Sequence, residues 1–457
     1  MSQAHEYVKA HFEQFKGQLF DLLRIPSIST SVEHAGDVER TAQWLADDLQ
    51  RIGLHTVEIV STPGHPIVYG EWIGAGLDAK TILIYGHYDV QPALKSDGWI
   101  NEPFEPTERD GHIYARGSSD DKGQVFAHIK AVEAVLANGG KPSVNLKFLI
   151  EGEEEIGSTH LADFVAANRA KLQADVCVIS DSGMPTPDQP SIVYALRGIL
   201  TMDVVVNGPA TDLHSGVYGG SVHNPVQALA EIIAQLHNPD GSVAVPGFYD
   251  DVLPLSDEER AELQKTAMTE AAWRQATGAP KQWGEPEFAI HERTGARPTL
   301  EINGMAGGYY EPGFKTVLPA KAWAKISCRL VANQDPEVIG TLVRNFIMNI
   351  SPATIHTTVD VALGGPAAFV DIRTPEMQAA VRAYEQGWGK KPVFMREGGS
   401  IPVVSEFQKE LNAPVILMGL GLNDDGAHSA NEHFMVEMFR KGINTAIYFY
   451  EAMGAGE

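Results

Sequence analysis

Residues 81–123 read TILIYGHYDVQPALKSDGWINEPFEPTERDGHIYARGSSDDKG. The apolar run 81–85 fits a buried strand, and it ends in Gly86-His87-Tyr88-Asp89. Side chains on an extended segment alternate faces, so His87 and Asp89 point the same way. One ring nitrogen of His87 is then free for a metal while the Asp89 carboxylate holds the other. The stretch closes on Gly117-Ser118-Ser119-Asp120-Asp121-Lys122-Gly123, ahead of Val125, Ile129, Val132, Val135 and Leu136 at helical spacing. This is a loop entering a helix with Asp120 or Asp121 at the N-cap, where unpaired N–H groups and the helix dipole favour negative charge. Taken alone, a capping Asp is the simpler reading.

Outward from this stretch the pattern repeats. The N-terminal stretch 1–27 carries an amphipathic helix pattern that breaks at Ile25-Pro26-Ser27, 38–52 reads as a second helix, and 55–61 and 67–72 are short β-branched runs around Pro63-Gly64. Residues 144–150 form another apolar run, ending in Glu151-Gly152-Glu153-Glu154-Glu155. A helix is expected over 158–169, then a strand over 174–180 that delivers Asp181. Alternating strands and helices imply an α/β domain with a mostly parallel sheet flanked by helices. In such sheets ligands collect at the carboxyl ends of the strands, where His87, Glu154, Glu155 and Asp181 all fall.

The character changes near Leu200. Residues 201–206 alternate, 224–236 read as a helix, and a long polar stretch covers 238–297. Strands over 299–303, 322–330 and 354–363 with a helix over 336–349 suggest an α+β unit. Helix and strand alternation returns over 375–453, together with further candidate site residues. The expected organisation is a catalytic domain in two parts, 1–198 and 367–457, with an inserted domain over 199–366.

A chain of 457 residues, 44% hydrophobic and 21% charged, has the composition of an ordinary globular protein. Against 59 acidic residues stand 35 Lys and Arg, a formal charge of -24 that argues against nucleic acid or an anionic membrane surface as partner. Cys177 and Cys328 sit inside apolar strand-like runs, which excludes a disulfide framework and suits a reducing compartment. The N-terminus has neither a signal-peptide core nor a cleavage site, and no apolar run approaches membrane-spanning length, so a cytoplasmic location is expected.

His87, Asp120, Glu154, Glu155 and Asp181, joined by His428 in Asp424-Asp425-Gly426-Ala427-His428, could converge on two divalent cations. Each has an ordinary explanation by itself: a packed histidine, a cap, an acidic loop, a turn. Acidic loops do not explain why isolated carboxylates and imidazoles recur at the ends of successive buried strands. Imidazole and carboxylate donors suit Zn2+, Mn2+ or Co2+.

The blocks YGHYDVQP, ARGSSDDKG, EGEEEIGS, ISDSG, DLHSGVYGG, REGGSIPV and DDGAHSANE, in that order, resemble the M20 family of di-metal peptidases. Within it they are most similar to the dipeptidase branch of cytosolic non-specific dipeptidases and carnosinase-like enzymes. The resemblance implies that His87, Asp120 and Asp181 hold one ion and Asp120, Glu155 and His428 the other, with Asp120 bridging and the Asp120–Asp121 peptide cis. It implies Asp89 as the orienter of His87 and Glu154 as the general base. The inserted domain would be a lid that also forms a homodimer, with His214 reaching the partner's site to stabilise the oxyanion. Arg329 would receive the substrate carboxylate, aided by Thr316, Gly398, Gly399 and Ser400. The implied reaction is hydrolysis of unblocked dipeptides or very short peptides by a water between the ions. Deacylation or desuccinylation of N-acyl amino acids, or carboxypeptidase action, is the alternative within the family. A non-catalytic binding protein is the alternative outside it, disfavoured because every matched ligand and the base are present.

Overall fold

The structure, a computed structural model, describes residues 2–399 and 401–455. The chain forms two compact units, one of Met1–Tyr194, Val370–Met395 and Pro402–Glu457, the other of Ala195–Phe369 and Arg396–Ile401. The short segment 396–401, grouped in the sequence with the returning part of the first unit, clusters with the second.

In the first unit the strands lie in the order Thr56–Val60, Ile67–Trp72, Asn145–Glu151, Thr81–His87, Val176–Ile179, Val415–Leu417, Ser191–Leu196. The middle four run parallel. Antiparallel pairings on both sides make the whole sheet mixed. These central strands are buried on both faces, which is why their sequences are mostly apolar rather than alternating, Lys147 being a buried exception whose ammonium donates to the Lys171 and Gln173 backbone oxygens. Because they share a direction, their C-terminal ends lie along one edge. His87 pairs in register with Glu151, and the chain leaving Ile179 reaches Asp181 two residues later.

Successive residues of the Thr81–His87 strand show how helices cover both faces. The Tyr85 ring meets Phe407 of helix Pro402–Leu411 edge-on at 5.6 Å. Next to it, a Cβ on Gly86 would lie 2.7 Å from Val125 of helix Lys122–Leu136. Adjacent residues point oppositely, so these helices occupy opposite faces. Helix Lys122–Leu136 is in turn sandwiched between Gln3–Leu23 and Val436–Gly454, and nearly every residue of it is buried.

The second unit is built on an antiparallel sheet ordered Thr299–Gly307, Lys321–Leu330, Gly198–Asn207, His356–Leu363. Strict alternation in Lys321–Leu330 puts Ala322, Ala324, Ile326, Cys328 and Leu330 into a core shared with helices Pro225–Ile233 and Pro336–Ile350. Both helices start with a capping side chain and a proline. Asn224 accepts from Val226 N, and Asp335 from Glu337 N and Val338 N. The stretch 238–297, read from sequence only as long and polar, contains the helices Asp257–Gln264, Glu270–Thr277 and Ile290–Gly295. Their amphipathic stripes are too short to stand out, but the caps Ser256 and Thr269 mark two of their starts. Both cysteines are buried and free. Among the described residues no helix is long and apolar enough to cross a membrane.

Candidate metal centre

Asp120 sits in the loop before helix Lys122–Leu136, and the Asp120–Asp121 peptide is cis. Asp121 occupies the N-cap position, yet its side chain makes no capping bond. Its Oδ2 instead accepts from His87 N at 3.2 Å. Nor does Asp120 cap the helix. Its Oδ1 lies 3.0 Å from His87 Nε2 and its Oδ2 2.9 Å from His428 Nε2, so one carboxylate stands between two imidazoles. The capping explanation for these two acids is thereby removed.

Two donor groups result, His87 with Asp120 and Asp181, and Asp120 with Glu155 and His428. Within each, one ligand atom per residue lies within 4.8 Å of the others. Asp120 belongs to both. His87 Nε2 is 3.9 Å from Asp181 Oδ2, and His428 Nε2 is 3.1 Å from Glu155 Oε2. Of the three successive acids, Glu153 turns away to accept from His65 N at 2.9 Å and to meet His160 Nδ1 at 2.8 Å. Glu154 and Glu155 lie in a single 3-10 turn held by Asp89, whose two oxygens accept from Glu154 N (3.2 Å) and Glu155 N (3.1 Å). Asp89 Oδ1 also lies 3.4 Å from His87 Nδ1, while the Asp89 backbone oxygen is closer to that nitrogen at 3.1 Å. The orienting role expected for Asp89 therefore divides: its backbone and carboxylate both face His87, and its carboxylate also anchors the loop of the two glutamates.

These residues fit a pair of divalent cations. His87 Nε2 is fully buried and, despite its closeness to Asp120, has no hydrogen-bond partner. A buried, unpaired imidazole nitrogen aimed among carboxylates has the chemistry of a ligand lone pair. The electrostatics agree. Burial, followed by the Asp120, Glu154 and Glu155 charges, raises the Asp181 carboxyl to about 8. Burial, then Glu155, Asp120 and Asp89, raises Glu154 to about 7 against the pull of His87. Asp120 is shifted the other way: the two imidazoles outweigh burial and lower it. Burial opposes charge on His87, but the Asp120 and Asp89 carboxylates prevail and raise it. Asp120 and Glu155 lift His428 to about 10. So many acids in one buried pocket need positive charge between them.

The remaining expected site residues belong to the second unit. His214 closes the short strand Leu213–His214, paired to Val317–Leu318, and its Nδ1 accepts from Gly216 N at 2.9 Å. Thr316 stands at the end of that ribbon, exposed, its backbone oxygen accepting from Ser215 N. Arg329 lines a cavity of about 410 Å3 with Arg197, Glu301, Asn303, Ser327 and Tyr249. The Gly398 oxygen accepts from Arg197 Nε at 3.4 Å, and a Cβ at Gly398 would come within 2.6 Å of that guanidinium, whereas Gly399 has open space around it. Ser400 lies outside the described residues.

Some neighbours of the donor groups were not singled out from sequence. Gln91 Nε2 donates to Glu155 Oε2 at 2.7 Å. Its signal was available, since alternation from His87 and Asp89 puts Gln91 on the same face. In the second unit Arg197, which lines the cavity of Arg329, was missed as well, because a single arginine between two strands carries no pattern. Glu432, fully buried, also has no sequence signal that separates it from a solvated acid.

A mixed α/β sheet with helices on both faces, carrying paired imidazole and carboxylate donors at its strand ends, is the architecture of a metallohydrolase. The model of peptidase family M20/M25/M40 matches residues 83–452. The chain belongs to this family. It is 34% identical to a Cys-Gly metallodipeptidase of Schizosaccharomyces pombe, over 97% of this chain and 96% of that one. Among solved structures it is similar to human carnosine dipeptidase 1, with a TM-score of 0.79, 32% identity and coverage of 99% and 98%. It is also similar to an M20 family metallo-carboxypeptidase from Sulfolobus solfataricus, with a TM-score of 0.84, 31% identity and coverage of 96% and 99%.

Proposed function

We propose that the protein is a metallo-dipeptidase that hydrolyses unblocked dipeptides or very short peptides, working with two divalent ions per subunit, Zn2+, Mn2+ or Co2+. The observation that carries this is the sharing of Asp120 between two donor groups, with Glu154 beside them on the turn that also bears Glu155. His87, Asp120 and Asp181 hold one ion, and Asp120, Glu155 and His428 the other. Such ions supply Lewis-acid charge that polarises the scissile carbonyl and acidifies a water. Glu154 takes the proton of the attacking water on its carboxylate and hands it to the leaving amine. Asp89 keeps His87 in the tautomer whose Nε2 faces the acids, and fixes the turn on which Glu154 stands.

The second unit, read as a lid and dimerisation domain inserted between the parts of the catalytic one, supplies the remaining groups. His214 of one subunit donates to the oxyanion formed in its partner. Arg329 receives the C-terminal carboxylate through its guanidinium fork, with Thr316, Ser400 and the N–H groups of Gly398 and Gly399 beside it. The formal net charge of -24 favours small zwitterions over polyanions as substrates.

An assay of the metal-loaded protein against dipeptides, longer peptides and N-acyl amino acids tests this reading. Turnover of free dipeptides is expected to dominate. Turnover confined to acylated substrates would replace it with a deacylase, progressive release of C-terminal residues from long peptides with a carboxypeptidase, and none at all with a binding protein.

A further inference from the structure

The acid that holds Asp120 in place is Glu432, four residues beyond His428. Its side chain is completely buried and accepts four hydrogen bonds from one short segment. Oε2 accepts from the Arg116 guanidinium at 2.8 Å and from Gly117 N at 2.9 Å. Oε1 accepts from Ser119 N at 2.9 Å and from Asp120 N at 3.1 Å. The loop 116–120 is therefore wrapped around a single carboxylate, with backbone N–H groups and one guanidinium supplying its counter-charge. Asp425 adds a second tie, its Oδ2 accepting from Ser119 Oγ and from Leu422 N, both at 2.7 Å.

The segment carrying His428 and the segment carrying Asp120 are thus joined once where imidazole meets carboxylate and twice behind it, through Glu432 and through Asp425. A carboxylate that is to serve two ions needs both oxygens aimed, and a free loop would let it rotate. Glu432 removes that freedom at the backbone, through the N–H of Asp120 itself. Resting on the metal reading of the site, we propose that Glu432 is a positioning residue that presets Asp120 for both ions, so that its loss weakens both together.

Glu432→Gln keeps the shape but turns an NH2 towards donors that need an acceptor. In apo protein titrated with Mn2+ or Co2+, both ions are expected to bind at least ten times more weakly, in line with losses of about 10- to 100-fold for changes behind metal ligands. The Co2+ absorption spectrum should shift, kcat at limiting metal should fall, and excess metal should restore most of it with KM unchanged. A variant that folds, by circular dichroism and thermal melting, and binds both ions as tightly as wild type would overturn the proposal. So would weakening of one ion alone, or a lower Tm with unaltered metal affinity. Should Glu432→Gln not fold, Arg116→Gln decides: it leaves the three backbone donors in place and should weaken both ions in the same sense, and unchanged affinities there would overturn the proposal. Binding is read without substrate, so an unmutated protein that binds both ions but turns over no peptide counts against the dipeptidase reading and not against Glu432.

Discussion

At the scale of single residues the two adjacent glutamates are expected to separate cleanly. Glu154→Ala should lower kcat by about 10^3-fold, as removal of a general base does, while leaving metal content near wild type. Asp120→Ala should lose both ions, because Asp120 belongs to both donor groups. Metal analysis beside steady-state kinetics reads the difference, and equal metal loss in the two variants would mean that the roles are exchanged. A third prediction concerns His128, buried between Ser180 Oγ at 2.7 Å and Tyr450 OH at 3.0 Å. Burial pushes its imidazole down from 6.5 to about 4, so the folded state keeps it neutral where the unfolded chain takes up a proton. Its contribution to stability is complete above pH 6.5 and is lost as pH falls towards 4, by about 3 kcal/mol in all. Urea midpoints of His128→Gln should fall less steeply than wild type over that interval, and parallel slopes would reject the assignment. At this scale the sequence was most informative where chemistry is unusual: a histidine ending a buried strand stands out. Glu432 does not stand out. Its burial comes from a loop 312 residues away in the chain folding over it, and no local pattern records that.

At the scale of elements, the site exists because three parallel strands end side by side and a helix crosses close above one of them. Gly86 is the point of closest approach. A Cβ there would lie 2.6 Å from Asp121 Oδ2 as well as 2.7 Å from Val125. Gly86→Ala should cost about 1–3 kcal/mol in a urea titration and displace His87 with it. A variant as stable as wild type would show that the helix yields easily. Asp89→Asn tests the turn of the glutamates. It places an NH2 against one of the two backbone N–H donors and should lower kcat by about 10- to 100-fold even with saturating metal. These elements were legible in sequence because buried parallel strands are long apolar runs. The short helices between 257 and 295 were not, because six to eight residues hold barely two turns of amphipathic pattern and their caps resemble any Ser or Thr in a polar stretch.

For the whole molecule, the proposed dimer makes a prediction that a monomer cannot satisfy. If His214 acts in the partner's site, His214→Ala and Glu154→Ala are each nearly inactive as homodimers. In a mixed dimer one site is whole: it has its own Glu154 and receives His214 from the other subunit. Co-refolding equal amounts should restore activity to about a quarter of wild type, since half the dimers are mixed and one site in two is complete. No recovery, with mixed dimers verified by mass, would place His214 in its own subunit's site or outside the chemistry. The discontinuous organisation was legible because candidate ligands resume after the alternating strands of the second unit. The grouping of 396–401 with that unit was not, since it depends on Gly295 and Gly398 allowing the Arg396 and Arg197 side chains to pack against backbone.

The most direct measurement is anomalous diffraction from crystals grown with Mn2+ or Zn2+. Two peaks are expected, one among His87, Asp120 and Asp181 and the other among Asp120, Glu155 and His428, with Asp120 reaching both. A single peak, or two peaks that do not share Asp120, would contradict the paired-ion centre on which the proposed chemistry stands.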